Sequence, residues 1–110
     1  MTTSEVGTPH RLGAVDQIPL GEGRAFAVGA QQVAVFRLRD GTLRATQAHC
    51  PHAGGPLADG QLDPTTIACP LHMRAFSFAD GRCAEGEVVA LHEACAHDGE
   101  IVIVICDDVV

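Results

Sequence analysis

His49-Cys50-Pro51-His52 and Cys69-Pro70-Leu71-His72 are the two stretches whose reading decides this chain. Sixteen residues, Ala53 to Ala68, separate them, so the pattern is C-x-H, sixteen residues, C-x-x-H. Each stretch offers one soft anionic sulfur and one neutral ring nitrogen. Two thiolates plus two imidazoles, delivered by two short loops, suit a [2Fe–2S] centre of mixed ligation. If both sulfurs go to one iron and both nitrogens to the other, each loop must span the cluster. Residues two or three apart can do that, and the long gap lets the loops face each other. Four thiolates leave an oxidised cluster a dianion, whereas two thiolates and two neutral imidazoles leave it neutral. An electron adds more readily to the neutral centre, so the potential is higher than in an all-Cys cluster. Zinc also takes Cys and His. The C-x-H spacing is tight for two ligands on one tetrahedral ion, however, and the zinc-finger spacings are absent. Four unrelated core residues would have to match all ligand types at this spacing by coincidence.

The nine residues His49-Cys50-Pro51-His52-Ala53-Gly54-Gly55-Pro56-Leu57 resemble the first box of Rieske proteins. Cys69-Pro70-Leu71-His72-Met73-Arg74-Ala75-Phe76 resembles the second. Asp80-Gly81-Arg82 is similar to the turn that follows the second box in small Rieske ferredoxins. The small subunit of NAD(P)H-dependent nitrite reductases is similar too. The resemblance runs roughly from Val15 to Val104, with its specificity in the two boxes. It implies a Rieske-type [2Fe–2S] cofactor with Cys50 and Cys69 on one iron and His52 and His72 on the other. It also implies stacked antiparallel sheets with the cluster at one exposed tip, and no catalytic residue of the chain's own.

Departures from the family pattern bear on the potential. High-potential members carry a Ser two residues and a Tyr four residues after the second His, both donating hydrogen bonds at the cluster. Arg74 and Phe76 stand there in this chain. Rieske proteins of the respiratory bc type join the two loops by a disulfide, at positions that correspond here to Gly55 and Leu71. The resemblance therefore implies a potential at the low end of the Rieske range, roughly −150 mV. A nearby charge on Arg74 acts in the opposite sense. A Pro-rich segment often covers the cluster in the family; Cys83-Ala84-Glu85-Gly86-Glu87 stands where it is expected.

With 110 residues, 46% of them hydrophobic, the chain is long enough for one domain with a modest core. Met1 to Arg11 read as a frayed tail, and residues 12–110 as the domain, with a cluster-binding subdomain at about 45–82 inserted in a larger base. No apolar run is long enough for a membrane helix, and the first residues lack a signal-peptide layout, so a cytoplasmic location is expected. The net charge is −7, and all seven basic residues are Arg. That argues against a nucleic-acid partner, which needs a basic patch. An acidic surface suits docking onto a basic patch of a redox partner, or simply solubility. Of the five Cys, Cys83, Cys95 and Cys106 are left over from the candidate cluster and are expected to be buried thiols.

The chain reads as all-β, a sandwich or small barrel of short antiparallel strands. Asp40-Gly41 between Val33–Arg39 and Thr42–Gln47 predicts a hairpin, as does Asp98-Gly99 between Ala90–His97 and Glu100–Cys106. Gly29-Ala30 and Asp80-Gly81 predict two more turns, the latter joining Ala75–Ala79 to the segment from Arg82. Alternation of Ala34, Phe36 and Leu38 with Arg37 and Arg39 predicts a half-buried strand. Ile101 to Ile105 is apolar on both faces and predicts a central, doubly covered one.

The resemblance to small Rieske ferredoxins implies a one-electron carrier, passing electrons from a flavin-dependent NAD(P)H reductase to a terminal oxygenase. The alternative is the small Rieske subunit of an NAD(P)H-dependent nitrite reductase, bound to its large subunit. A zinc-stabilised structural module is the third possibility. No Gly-rich dinucleotide motif is present, so NAD(P) binding by this chain alone is not expected. His92-Glu93 and His97-Asp98 could be read as a mononuclear His–His–carboxylate iron site, but they fall on or beside one predicted hairpin and read better as its surface. His49, beside Cys50, is either a neighbour of the site or a plain surface histidine.

Overall fold

A computed structural model of the chain describes residues 8–29, 31–50, 54–70 and 74–105. The strands are β1 (Pro9–Ala14), β2 (Glu22–Val28), β3 (Gln31–Arg37), β4 (Leu43–Gln47), β5 (Gln61–Leu62), β6 (Thr66–Ala68), β7 (Ala75–Ser77), β8 (Leu91–His97) and β9 (Glu100–Val104). Two single-turn 3-10 helices, Val15–Gln17 and Leu57–Asp59, are the only helical segments among the described residues. The fold is all-β, and every pairing is antiparallel.

Turn chemistry sets the hairpins. Asp98 and Gly99 both take positive φ, 53° and 78°, and pair His97 with Glu100. That is the mirror-image turn whose twist matches its strands. Between β3 and β4 the chain reverses over Leu38–Thr42, where Asp40 accepts a hydrogen bond from the Thr42 N–H at 2.9 Å. Gly29, at φ 60°, lies in the link from β2 to β3, whose register pairs Val28 with Gln31; Ala30 lies outside the described residues. The Asp80-Gly81 turn is also present, with the Gly81 N–H donating to Ser77 O at 2.8 Å. The segment from Arg82 that this turn leads into is not a strand. It folds back on itself through an isolated bridge between Arg82 and Val88.

Six strands make one sheet in the order β1-β9-β8-β4-β3-β2, and β5-β6-β7 make a second. The larger sheet is two triplets joined by a short seam at Ala45–His92 and Thr46–Leu91. Val33, Val35, Leu43 and Ala45 from one triplet pack with Ile101 and Ile103 from the other in a single core, so the sheet curls around that face. A second core lies on the opposite side of β3. It joins Ala34, Phe36 and Leu38 to Ile67 and Phe76 of the small sheet and to Cys50, Leu57 and Cys69 of the loops.

Three expectations are corrected. β3 is covered on both faces, with Val33 to Phe36 all buried, because the small sheet lies on the side that carries Ala34 and Phe36. β9 is the half-covered strand: Ile101 and Ile103 are buried and Val102 and Val104 only partly so, because nothing among the described residues covers that face fully. Pro9 to Arg11, expected in the tail, belong to β1, where β9 supplies a pairing edge: Pro9 pairs with Val104 and Arg11 with Val102. Met1 to Gly7 lie outside the described residues.

Candidate metal centre

Each box forms the closing part of a small hairpin. The first leaves β4 and is closed by the Leu57 N–H donating to Ala48 O at 2.9 Å and by a bridge between His49 and Pro56. Further out, the Cys50 N–H donates to Gly55 O and the Gly54 N–H to Cys50 O, each at 2.8 Å. The second box links β6 to β7. Beyond the pair Ala68–Ala75, the Cys69 N–H donates to Arg74 O at 2.9 Å. Both cysteines therefore sit where backbone hydrogen bonds still hold the hairpin, at the base of its tip. Residues 51–53 and 71–73, which include the expected ligands His52 and His72, lie outside the described residues.

The structure brings Cys50 and Cys69 into one apolar core, 3% and 0% exposed. Leu57, Ile67 and Phe76 belong to the same core. The donor set fits a thiolate–imidazole cluster. Two soft sulfurs stand where two hairpins are closed by backbone hydrogen bonds, in the sequence each is followed within three residues by a histidine, and apolar side chains share the core with the sulfurs. Arg74 adds a buried Nε with no hydrogen-bond partner among the described residues, as suits a side chain beside an acceptor that a bound group supplies.

Around this centre Arg74 is largely buried, its side chain 19% exposed, and its Nη1 lies 3.0 Å from Glu87 Oε1 and 3.5 Å from Glu85 Oε1. Among the described residues neither buried Arg74 nitrogen makes an aligned hydrogen bond, so the Glu87 contact is one of charge rather than direction. Cys83 is buried as expected, and its thiol donates to Glu87 Oε1 at 3.3 Å. Cys95 departs from expectation: it is exposed, on the β8 face shared with its register partner Val102. Cys106 lies outside the described residues. His49 is exposed, held through its carbonyl by Gln47 Nε2 at 2.7 Å.

His92 and His97 are five residues apart on β8 and so face opposite sides of the strand, His92 buried and His97 exposed beside Asp98. The structure does not gather them into one site. The Arg74 contacts with Glu85 and Glu87 were not readable in the sequence, since the partners are eleven and thirteen residues away across an irregular segment. The only signal was an Arg in the second box and two Glu where the covering segment was expected.

The description "Rieske [2Fe-2S] domain" matches residues 8–88. The chain is 31% identical over 104 residues to the anthranilate 1,2-dioxygenase ferredoxin subunit of Burkholderia cepacia, covering 92% of this chain and 95% of that one. It is 37% identical over 91 residues to an oxygenase component named for 3-ketosteroid-9-alpha-monooxygenase in Rhodococcus rhodochrous. That match takes in 76% of this chain but 23% of the longer relative. Among solved structures, a small subunit described as belonging to an NADH-dependent nitrite reductase of Mycobacterium tuberculosis superposes with a TM-score of 0.80 at 25% identity, over 87% of this chain and 93% of that one. The ferredoxin of carbazole 1,9a-dioxygenase from Nocardioides aromaticivorans superposes with a TM-score of 0.77 at 28% identity, over 88% and 97%.

Proposed function

The chain belongs to the Rieske [2Fe–2S] domain family, and from that premise we propose that it is a one-electron carrier between a flavin-dependent NAD(P)H reductase and a terminal oxygenase. The observation that supports this most is the match to a dioxygenase ferredoxin subunit over nearly the whole of both chains. A second reading, the small subunit of a nitrite reductase complex, is favoured by the close superposition on such a subunit. The cytoplasmic location expected above belongs with either reading.

The Rieske-type [2Fe–2S] cluster, when bound, accepts and donates one electron. Cys50, Cys69, His52 and His72 are the residues we assign to hold it. The rest follows from what the chain does around them. Hydrogen bonds at the base of both hairpins fix the two sulfurs, and the apolar core behind them excludes water on that side. A support that is paired and packed changes little between oxidation states, which keeps reorganisation small. Phe76, buried where high-potential relatives have a hydroxyl, has none to donate. That supports the low end of the Rieske range, roughly −150 mV.

The test is an EPR spectrum of anaerobically purified protein before and after dithionite. A silent oxidised sample that gives a rhombic signal on reduction, with average g below that of an all-Cys cluster, is expected. Cys50→Ala, His52→Ala, Cys69→Ala and His72→Ala should each lose that signal. A colourless, iron-free protein after careful reconstitution would sink the electron-transfer reading. Reduced protein is then offered separately to an oxygenase and to the large subunit of a nitrite reductase, and the faster reoxidation selects the partner.

A further inference from the structure

Arg74 joins the base of the second hairpin to the segment Cys83–Glu87. Its carbonyl closes the base of the second hairpin through the Cys69 N–H. Its side chain leaves that hairpin for the segment Cys83–Glu87, where it meets Glu87 and Glu85. That segment is a small turn with its own hydrogen bonds: the Gly86 N–H donates to Cys83 O and the Cys83 N–H to Glu87 O, each at 3.1 Å. It is anchored at its base by the bridge of Arg82 to Val88 and by Cys83, which is buried in the same core as Cys69 and Phe76. Its outer part, Glu85 and Glu87, reaches the second hairpin through Arg74.

We propose that Arg74 is a positioning residue of the cluster site, and that its ion pairs with Glu87 and Glu85 latch the Cys83–Glu87 segment onto the second ligand loop. This rests on the electron-carrier reading above. Solvent decides how the latch divides. The Glu85 side chain is 52% exposed and the Glu87 side chain 30%. Water screens the first pair more, so Glu87 carries the larger share. The latch adds charge to the packing of Cys83 in holding a turn with Glu85 and Glu87 against the second hairpin. Salt, or loss of either charge, releases it and admits solvent to the second loop.

The experiment uses the full chain loaded anaerobically with iron and sulfide. Wild type is compared with Arg74→Gln, Arg74→Lys and the double variant Glu85→Gln/Glu87→Gln. Iron analysis and the reduced EPR signal first establish loading. The readout is the rate at which a strong iron chelator bleaches the oxidised protein, at low and at high salt. Arg74→Gln and the double variant should bleach about two to five times faster, the factor that a partly buried ion pair supports. Arg74→Lys, which keeps the charge, should stay close to wild type. High salt should speed bleaching of wild type and leave Arg74→Gln unchanged. Equal rates and equal salt response in wild type and Arg74→Gln would overturn the latch. If Arg74→Gln does not fold, the double variant, which keeps the arginine stem packed, decides on the same readout. A wild type that takes up no iron overturns the electron-carrier reading itself; a loaded wild type with unaltered variants overturns the latch alone.

Discussion

Gly81 shows how a single backbone position can secure the ground beneath the second box. Its φ is 77°, and a Cβ there would stand 2.3 Å from the carbonyl oxygen of Val89. That carbonyl belongs to a residue whose N–H already donates to Gly81 O at 2.8 Å. Two penalties therefore meet in Gly81→Ala, positive φ and a backbone collision. Gly99 has nearly the same φ, 78°, with nothing within 4 Å of the added carbon. The expected outcome is a loss of about 1–3 kcal/mol for Gly99→Ala, from conformation alone, and a clearly larger loss for Gly81→Ala. Denaturant unfolding at matched cluster content measures both. The pair of glycines also marks a limit of sequence reading. Both follow an Asp and both predict turns, but the collision partner of one is eight residues away and is set by how the turn docks.

At the scale of elements, β3 and β9 exchange the roles that their own residues suggest. β9 reads as apolar throughout, yet only Ile101 and Ile103 are fully buried, while Val102 and Val104 remain partly open. β3 ends in arginine-bearing sequence and reads as one-sided, yet Phe36 is 0% exposed under the small sheet. Phe36 also meets Phe78 in a tilted contact, ring centroids 5.7 Å apart. Phe36→Ala should therefore cost about 3–5 kcal/mol. Val102→Ala should cost less, about 1 kcal/mol, since a smaller side chain that is only partly buried has less transfer energy to lose. Chemical denaturation of the two variants checks the ranking, and equal costs would contradict the two-sided burial of β3. Alternation in a strand reports which faces are apolar. It does not report whether another layer lies over them.

Over the whole molecule, two cores back to back on β3 place the cluster boxes on the small sheet's side, away from the curled base. Charge acts at the same scale. With a net −7, the protein is expected to meet a redox partner through a basic patch. Raising ionic strength from about 10 mM to about 150 mM shortens the screening length from about 30 Å to about 8 Å. The second-order rate of reduction by the partner should then fall severalfold, as for other steered encounters. Stopped-flow mixing with the reductase measures it. A salt-independent rate would mean that the acidic surface serves solubility and not docking.

The sequence by itself determined the family, the cofactor class, the all-β character and most of the turns. Those properties are written locally: ligand types at short spacings, and Asp-Gly or Gly pairs whose φ preferences force reversals. Only the tertiary structure decided which face of β3 is covered, that Pro9–Arg11 find a strand edge on β9, that Cys95 is exposed, and that Arg74 reaches Glu87. Each of these depends on what a distant segment lays against the residue. Burial and ion pairing are properties of two surfaces, and a single stretch of chain carries only one of them.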